Sequence, residues 1–209
     1  MGFHREPAKD APVIVAALGD SLSGGYALDG QYIDDPNASY PALVARRIGA
    51  TQIGIVAIAG ATIGTIASNL YQLPQDAGLL IVNAGTNDMV VVAAGVQPLD
   101  LVIADFDAML AHSRLWMPKA RVIVVGIRNV AAMNPDNVAG PHAIRKLLHP
   151  DRVHAASLAF NEHILALPET TAVDLANRTG TTSVELFPDA IHPSPLGVGW
   201  IADAVLEAM

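Results

Sequence analysis

Five short runs of continuous valine, isoleucine and leucine, separated by longer segments of helical periodicity, most constrain how this chain can fold. Runs without polar alternation are typical of strands that are buried on both faces of a parallel sheet. They cover Pro12–Leu18, Ile53–Ile58, Gly78–Asn83, Arg121–Ile127 and Thr170–Leu175. Because strands that alternate with helices are joined by right-handed crossovers, the pattern predicts an α/β protein. Its expected form is a three-layer α/β/α sandwich around a mainly parallel five-stranded sheet.

The intervening segments predict five helices within one domain. Ser39 and Asp151 are expected N-caps, and Pro195 suits the first turn of a helix. The predicted helices are Ser39–Ile48, Thr62–Tyr71, Pro98–Leu115, Asp151–Leu167 and Pro195–Ala208. No linker, repeat or low-complexity tract separates them. We therefore expect a mobile N-terminal arm over residues 1–11 and a single domain over residues 12–209.

Two stretches, Ala27–Asn37 and Asn129–Pro150, do not fit this regular pattern. Both are rich in turn-forming residues and are predicted as long loops, and both start on the side where parallel strands end. Ligands bind at that edge of open α/β sheets, so the loops are candidates for a functional role. The composition of the second loop does not define that role. Four basic residues lie in or beside the second loop, at Arg128, Arg145, Lys146 and Arg152. Such a group of charges is typical of a solvated face.

Charge and composition exclude several function classes. The formal net charge of −8 repels phosphate backbones, and no basic cluster offsets it, so nucleic acid is not an expected partner. The chain has no cysteine, which excludes disulfides, thiolate metal sites and a cysteine nucleophile. It carries no P-loop and no His-Glu-x-x-His motif, so neither a metal nor a cofactor is predicted.

The sequence also bears on location. The first ten residues lack the apolar segment of a signal peptide, and no uninterrupted apolar run approaches the roughly 18 residues of a membrane span. We therefore expect a soluble protein without a membrane span. The cytoplasm is the favoured compartment, and a secreted or periplasmic location stays open if a signal was trimmed. The oligomeric state is left undetermined.

Four short motifs lie where the predicted strands end or where the last helix begins. Gly19-Asp20-Ser21 follows the first strand, Gly60 follows the second, Gly85-Thr86-Asn87-Asp88 follows the third, and Asp189-x-x-His192 precedes the last helix. A serine hydroxyl becomes a strong nucleophile only when a base takes its proton, and imidazole is the base suited to neutral pH. A carboxylate on the other ring nitrogen fixes the tautomer. With two residues between them, Asp189 and His192 can face each other on one turn.

This ordered set of motifs resembles the SGNH (GDSL) hydrolase family, from residue 13 to the final helix. The resemblance implies the flavodoxin-like SGNH hydrolase fold and a serine esterase or lipase activity through an acyl-enzyme. It implies that Ser21 is the nucleophile, that His192 is the general base and then the acid, and that Asp189 orients His192. The Ser21 N–H, the Gly60 N–H and the Asn87 side-chain amide would form the oxyanion hole.

Three neighbouring residues are expected to support this site without reacting. Asp20 is predicted to hold the Ser21 turn by hydrogen bonds, and Thr86 and Asp88 to support Asn87. The chain departs from the family at one place, because members often carry an asparagine a few residues before the glycine of the second motif. Here the corresponding stretch, residues 55–59, is wholly apolar. Gly60 is preferred over Gly64 as the backbone donor because it follows the strand directly.

The predicted reaction is cleavage of a carboxylic ester, with a short acyl or acetyl group, on a small molecule or a carbohydrate. Two alternatives keep the fold and change the function. The acyl-enzyme could pass its acyl group to a sugar or another alcohol, as in an acyl- or acetyltransferase. The chain could also be a non-catalytic binding module on a decayed hydrolase scaffold, although it retains Ser21, Asn87, Asp189 and His192 together.

Overall fold

A computed structural model of the chain describes residues 13–29, 31–128 and 150–209. Five of its strands form one sheet in the order β4-β1-β5-β6-β7, in which every pair is parallel. The remaining two strands form a separate antiparallel hairpin. In chain order the strands are β1 (Ile14–Gly19), β2 (Gly25–Leu28), β3 (Gln31–Asp34), β4 (Gln52–Ala57), β5 (Leu79–Asn83), β6 (Arg121–Val125) and β7 (Thr171–Val173). The predicted five-stranded parallel sheet is confirmed.

Helices cover both faces of this sheet. Those described are α1 (Ser21–Gly24), α2 (Tyr40–Arg47), α3 (Ile63–Ala67), α4 (Thr86–Ala93), α5 (Leu99–Trp116), α6 (Pro150–Ala166) and α7 (Pro195–Glu207), with short 3-10 turns at Pro36–Ala38 and Leu70–Gln72. Helices α2 and α7 pack in the core on one face of the sheet. Helices α3 to α6 pack in the core on the other face. This is the predicted α/β/α sandwich.

Burial on both faces explains why the strands read as continuous apolar runs. Along β1, Ala16 and Leu18 pack in one core, whereas Val15 and Ala17 pack in the other. All four side chains are completely buried, because β1 lies between β4 and β5 with helices on each side. A polar residue at any of these positions would be buried without a partner, which is costly.

The structure differs from the sequence prediction in two elements near the first and third motifs. The predicted loop Ala27–Asn37 overlaps most of the β2–β3 hairpin, whose register pairs Gly25 with Asp34 and Ala27 with Tyr32. Its abundance of Gly and Asp indicated a loop, but backbone pairing across the turn makes it a hairpin. The segment after β5, for which no helix was predicted, begins helix α4.

Helix boundaries shift by smaller amounts. Helix α6 begins at Pro150, so Asp151 lies in its first turn and is not the N-cap. The predicted helix Thr62–Tyr71 ends at Ala67 and is followed by the 3-10 turn Leu70–Gln72. The N-terminal arm and the long loop at residues 129–149 lie outside the described residues. No helix in the described part of the chain is long and apolar enough to cross a membrane.

The segment between β7 and α7, residues 174–194, forms neither helix nor strand. Its chain is nevertheless held firmly at several points. Ala190 donates its N–H to the carbonyl of Phe187, and Ser194 donates its N–H to the carbonyl of Leu186. The Phe187 ring is completely buried against Trp200 of α7. This segment brings the fourth motif to the rest of the protein.

Gly85, the residue that precedes α4, lies where the start of α4 approaches α6 closely. Its φ is +111°, and a Cβ there would lie 2.6 Å from the Phe160 ring of α6. We expect Gly85→Ala to lower the free energy of unfolding by about 3 kcal/mol or more, because backbone strain adds to this clash. Urea unfolding of the purified variant measures the change.

Gly95→Ala is the matched control for this substitution. Gly95 also has a positive φ, +73°, but no atom lies within 4 Å of the position that its Cβ would take. It should therefore cost only about 1–2 kcal/mol, the strain of a left-handed backbone. Equal costs for the two variants would contradict the close approach of Phe160.

Candidate active site

Ser21 begins helix α1 just after β1, an interior strand of the sheet. Asp20 is the N-cap of this helix, and its Oδ1 accepts a hydrogen bond from the Leu22 N–H at 3.0 Å. The Asp20 side chain is completely buried and Ser21 is nearly so, with 8% of its surface exposed. The cap fixes the turn at the carboxyl end of β1, so the Ser21 hydroxyl lies at the edge of the sheet where ligands bind.

Asp189 organises the turn that carries His192. Its Oδ1 accepts the backbone N–H groups of Ile191 at 2.9 Å and of His192 at 2.7 Å. Its Oδ2 lies 2.6 Å from Nδ1 of the His192 ring. Because a carboxylate only accepts hydrogen bonds, Nδ1 carries the proton in this pair, which leaves a lone pair on Nε2. One carboxylate therefore sets both the backbone of the turn and the tautomer of the imidazole.

The structure brings this imidazole to the first motif. His192 Nε2 lies 3.0 Å from Ser21 Oγ, although 171 positions separate the two residues in sequence. The side chains of Asp189 and His192 are 12% and 18% exposed, so the pair is largely shielded from water while the ring stays reachable. The three residues predicted as nucleophile, base and orienting acid thus form one chain of hydrogen bonds.

The charge on Asp189 is maintained at neutral pH. Burial alone would raise its pKa, but the hydrogen bond and charge of His192 and the two backbone N–H groups outweigh that effect. The pKa of Asp189 therefore lies below its ordinary value. An ionised carboxylate can stabilise the imidazolium that forms when His192 takes a proton.

The predicted oxyanion donors follow three neighbouring strands of the sheet, β4, β1 and β5. Gly60 lies in the turn after β4 with a φ of +74°, and Gly64 lies inside helix α3. Asn87, in the first turn of α4, donates from Nδ2 to the Ala61 carbonyl at 2.9 Å. An amide carries two N–H groups, so this bond ties Asn87 to the Gly60 turn and still leaves one hydrogen.

The predicted supporting residues make different contacts from one another. The Asp88 carboxylate accepts the Ile63 N–H at 3.1 and 3.3 Å, so it holds the start of α3 rather than Asn87 itself. Burial raises the pKa of Asp20, and the buried Thr86 hydroxyl offsets a small part of that rise. The contacts of Asn87 and Asp88 join the turns after β4 and β5 into one unit.

Arg128, just beyond β6, is buried beside the turn that carries His192, which the sequence analysis did not predict. Only 3% of it is exposed, and its guanidinium donates to the carbonyls of Thr181 and Ala190 and lies 3.8 Å from the Phe187 ring centroid. Ala190 has a φ of +68°, an uncommon conformation for a residue with a side chain. Burial lowers the pKa of Arg128 to about 9, so it remains charged at neutral pH. The interpretation of Arg128 as part of a solvated face was wrong.

Tyr32, in strand β3, is a second residue that the sequence did not reveal. Its ring lies against the His192 imidazole, with 4.5 Å between ring centroids and 38° between ring planes. The signal that could have found it is the dipeptide Asp29-Gly30, which is typical of two-residue hairpin turns and lies between two short runs that contain tyrosine. Of the six other histidines, His4, His142 and His149 lie outside the described residues.

Comparison with known proteins identifies one family model and several solved structures that match this chain. The model of a family described as GDSL-like Lipase/Acylhydrolase matches residues 17–199. Curated protein sequences give no match. Solved structures share the fold at low identity, so they establish the fold alone.

Three of these structures cover almost the whole chain. Phospholipase A1 from Streptomyces albidoflavus NA297 has a TM-score of 0.67 at 20% identity, over 95% of this chain and 100% of its own. The lipase/acylhydrolase from Enterococcus faecalis has a TM-score of 0.66 at 16% identity, over 93% and 94%. The extracellular lipase from Streptomyces rimosus has a TM-score of 0.61 at 19% identity, over 94% and 100%.

Asp20 leads to a prediction about stability and pH. Burial raises its pKa from 3.8 to about 6, and the Leu22 hydrogen bond and the charge of His192 offset only part of that rise. The folded protein therefore binds more protons than the unfolded chain between these two values, so its stability falls as the pH rises from about 4 to about 6. Asp20→Asn keeps an oxygen that can cap α1 and removes the charge. At pH 8 we expect it to raise the free energy of unfolding by up to roughly 3 kcal/mol.

Urea unfolding of the wild type and Asp20→Asn at pH 4 and pH 8 measures this effect. The two proteins should differ little at pH 4, because Asp20 is then largely protonated in the folded protein. Asp76→Asn is a suitable control, because it removes a carboxylate from an exposed position. A stabilisation by Asp20→Asn that is the same at both pH values would contradict the assignment to Asp20 ionisation.

Proposed function

This chain belongs to the GDSL-like lipase/acylhydrolase family, and from its Ser21 site we propose that it cleaves carboxylic esters through an acyl-enzyme. The observation that carries this proposal is the unbroken relay in which Ser21 Oγ lies 3.0 Å from His192 Nε2 and His192 Nδ1 lies 2.6 Å from Asp189 Oδ2. Each distance is within hydrogen-bonding range, as transfer of the serine proton requires. Membership of the family supports an ester hydrolase, and the relay supports this particular mechanism.

In the first half of the reaction, Ser21 attacks the ester carbonyl carbon. As the Oγ–C bond forms, the hydroxyl proton moves to Nε2 of His192, whose lone pair already faces it. The carbonyl π electrons move onto the oxygen, and the imidazolium is stabilised by the ionised Asp189. His192 then returns the proton to the alcohol oxygen as the carbon–oxygen bond breaks. The acyl group remains on Ser21.

The negative oxygen of each tetrahedral intermediate needs donors that are already in place. We assign this role to the N–H groups of Ser21 and Gly60 and to the second amide hydrogen of Asn87. The Asn87–Ala61 hydrogen bond supports the assignment, because it holds the amide against the turn that contains Gly60. Donors fixed before the reaction stabilise developing charge without further reorganisation.

In the second half, water replaces the alcohol. His192 takes a proton from the water, the hydroxide attacks the acyl carbon, and the same donors hold the new oxyanion. Collapse of this intermediate returns the proton to Ser21 Oγ and releases the carboxylic acid. The free enzyme is restored with the relay in its starting state.

We further propose that the ester carries a short acyl or acetyl group on a small-molecule or carbohydrate alcohol. The apolar residues that follow Asn87 on α4 support a small acyl group, because Met89 and Ala93 are buried in the core. Val90 and Val91, one helical turn beyond Asn87, are part-exposed, whereas Val92 packs against the core. Such a surface suits a few methyl or methylene groups better than a long chain.

Replacing the nucleophile tests the mechanism. Ser21→Ala and His192→Ala should each lower kcat on p-nitrophenyl acetate by about 10⁶, because a triad fails when either member is removed. An organophosphonate should label the wild type at one site per chain, and mass spectrometry of the peptides should locate the label on Ser21.

Ser23→Ala is the matched control, because Ser23 is a buried serine in the same helix whose hydroxyl bonds to Tyr40 at 3.2 Å. It should keep most of the activity and all of the labelling. Retention of most of the ester-cleaving rate by Ser21→Ala, or a label elsewhere, would refute the proposed nucleophile.

A chain-length series tests the substrate. We expect kcat/KM on p-nitrophenyl esters to be highest for acetate or butyrate and to fall at least about tenfold by the dodecanoate, since a small acyl site excludes a long chain. An acetylated sugar and a phospholipid complete the series. The phospholipid is included because phospholipase A1 from Streptomyces albidoflavus has a similar fold. A maximum at long chains, or on the phospholipid, would contradict the short-acyl assignment.

A further inference from the structure

The β2–β3 hairpin places an aromatic ring on the imidazole that the proposed reaction uses as its base. Tyr32 lies with its ring centroid 4.5 Å from that of His192, and the mechanism described above assigns it no role. We propose that Tyr32 is a positioning residue that holds His192 in the orientation needed to take the Ser21 proton. This inference rests on the proposed function.

Two glycines at the end of the Ser21 helix make room for Tyr32. The Tyr32 hydroxyl oxygen lies 3.0 Å from the position that a Cβ on Gly24 would take and 3.1 Å from that of a Cβ on Gly25. The phenol therefore rests on bare backbone, where any side chain would crowd it. One end of Tyr32 contacts the helix of the nucleophile, and its ring contacts the base. The residue bridges the two halves of the relay.

The Tyr32 hydroxyl is buried and makes no hydrogen bond that the described residues show. Burial raises the pKa of Tyr32 to about 12, and the charges of Asp34 and Asp20 add to the rise. The phenol is therefore neutral at any pH where the enzyme would work. Because the oxygen points into the protein, it is placed to set the position of the ring rather than to bind substrate.

A backbone hydrogen bond fastens the same hairpin to the His192 turn. Ala27, the partner of Tyr32 in the hairpin register, donates its N–H to the Pro193 carbonyl at 2.7 Å. The hairpin is not joined to the five-stranded sheet, and a two-stranded hairpin on its own is only marginally stable. The hairpin therefore depends for its stability on its contacts with α1 and with the His192 turn.

The position of the ring has two consequences for His192. It occupies one face of the imidazole, which restricts rotation of the ring away from Ser21 Oγ. It also presents an aromatic face within about 6 Å of the cation that forms when His192 is protonated, which is the range of a cation–π interaction. Both effects act on the proton-transfer step and neither touches the substrate.

Substitution of Tyr32 tests the proposal. We expect Tyr32→Leu to lower kcat on p-nitrophenyl acetate about tenfold with KM changed less than about twofold, because the base is misplaced and substrate contacts are not. Tyr32→Phe should keep kcat within about threefold of the wild type, since it retains the ring. Tyr71→Leu, at a tyrosine that is 65% exposed, is the matched control and should change neither constant.

A second route displaces the ring without altering it. Gly24→Ala places a methyl group 3.0 Å from the Tyr32 hydroxyl and 3.2 Å from Cβ of Ala57, so kcat should fall with KM unchanged. Adding Tyr32→Phe removes that oxygen and should restore part of the loss. The far-downfield proton NMR resonance of the His192 Nδ1–H should be sharp in the wild type and in Tyr32→Phe. In Tyr32→Leu and Gly24→Ala it should broaden, because the ring moves and its proton exchanges with solvent.

The outcomes separate this inference from the proposed function. Wild-type kcat in Tyr32→Leu, or equal losses in Tyr32→Leu and Tyr32→Phe, would overturn the positioning role while Ser21→Ala remains inactive. A rise in KM alone would overturn it in favour of substrate contact. If Tyr32→Leu fails to fold, the pair Gly24→Ala and Gly24→Ala/Tyr32→Phe decides, and absence of any recovery counts against the proposal. Full activity of Ser21→Ala would instead remove the function on which the inference rests.

Discussion

The candidate site depends on the hydrogen bonds that the carboxylate of Asp189 accepts. One oxygen accepts the backbone N–H groups of Ile191 and His192, and the other accepts the imidazole proton. A single buried charge therefore shapes the turn and aims the ring. Because the same hydrogen bonds lower the pKa of Asp189, the charge persists at neutral pH. Geometry and electrostatics at the site thus have one source.

A second buried charge, the guanidinium of Arg128, also stabilises this turn. The guanidinium of Arg128 donates to the carbonyl of Ala190, whose backbone is in the left-handed region, and lies over the ring of Phe187. Strained backbone persists where its surroundings over-determine it, and here a buried cation, an aromatic ring and the Asp189 hydrogen bonds do so. Burial lowers the pKa of Arg128, and the charge of Asp189 opposes part of that effect. The turn that carries His192 therefore contains a buried carboxylate and lies against a buried guanidinium of opposite charge.

Much of the fold and part of the site could be predicted because their signals are local. Strands buried on both faces lose polar alternation, and an acid and a histidine three positions apart meet on one turn. The burial of Arg128 could not be predicted, because it depends on Phe187, which lies far along the chain and meets it only in the folded protein. Tyr32 was missed for a related reason, since its strand exists only through pairing with β2 and its partner His192 is remote in sequence. The helix α4 was missed because its first residues also suit a turn.

Ser21 and His192, the two ends of the proton-transfer pair, lie in parts of the molecule that differ in secondary structure. Ser21 follows an interior strand of a five-stranded sheet, whereas His192 lies in residues 174–194, which form no helix or strand. Segments outside regular secondary structure generally open at lower free energy than core strands. Local opening there would separate nucleophile from base while the sheet stayed intact. We therefore expect that, on heating, the proposed activity is lost at a lower temperature than the one at which the five-stranded sheet unfolds.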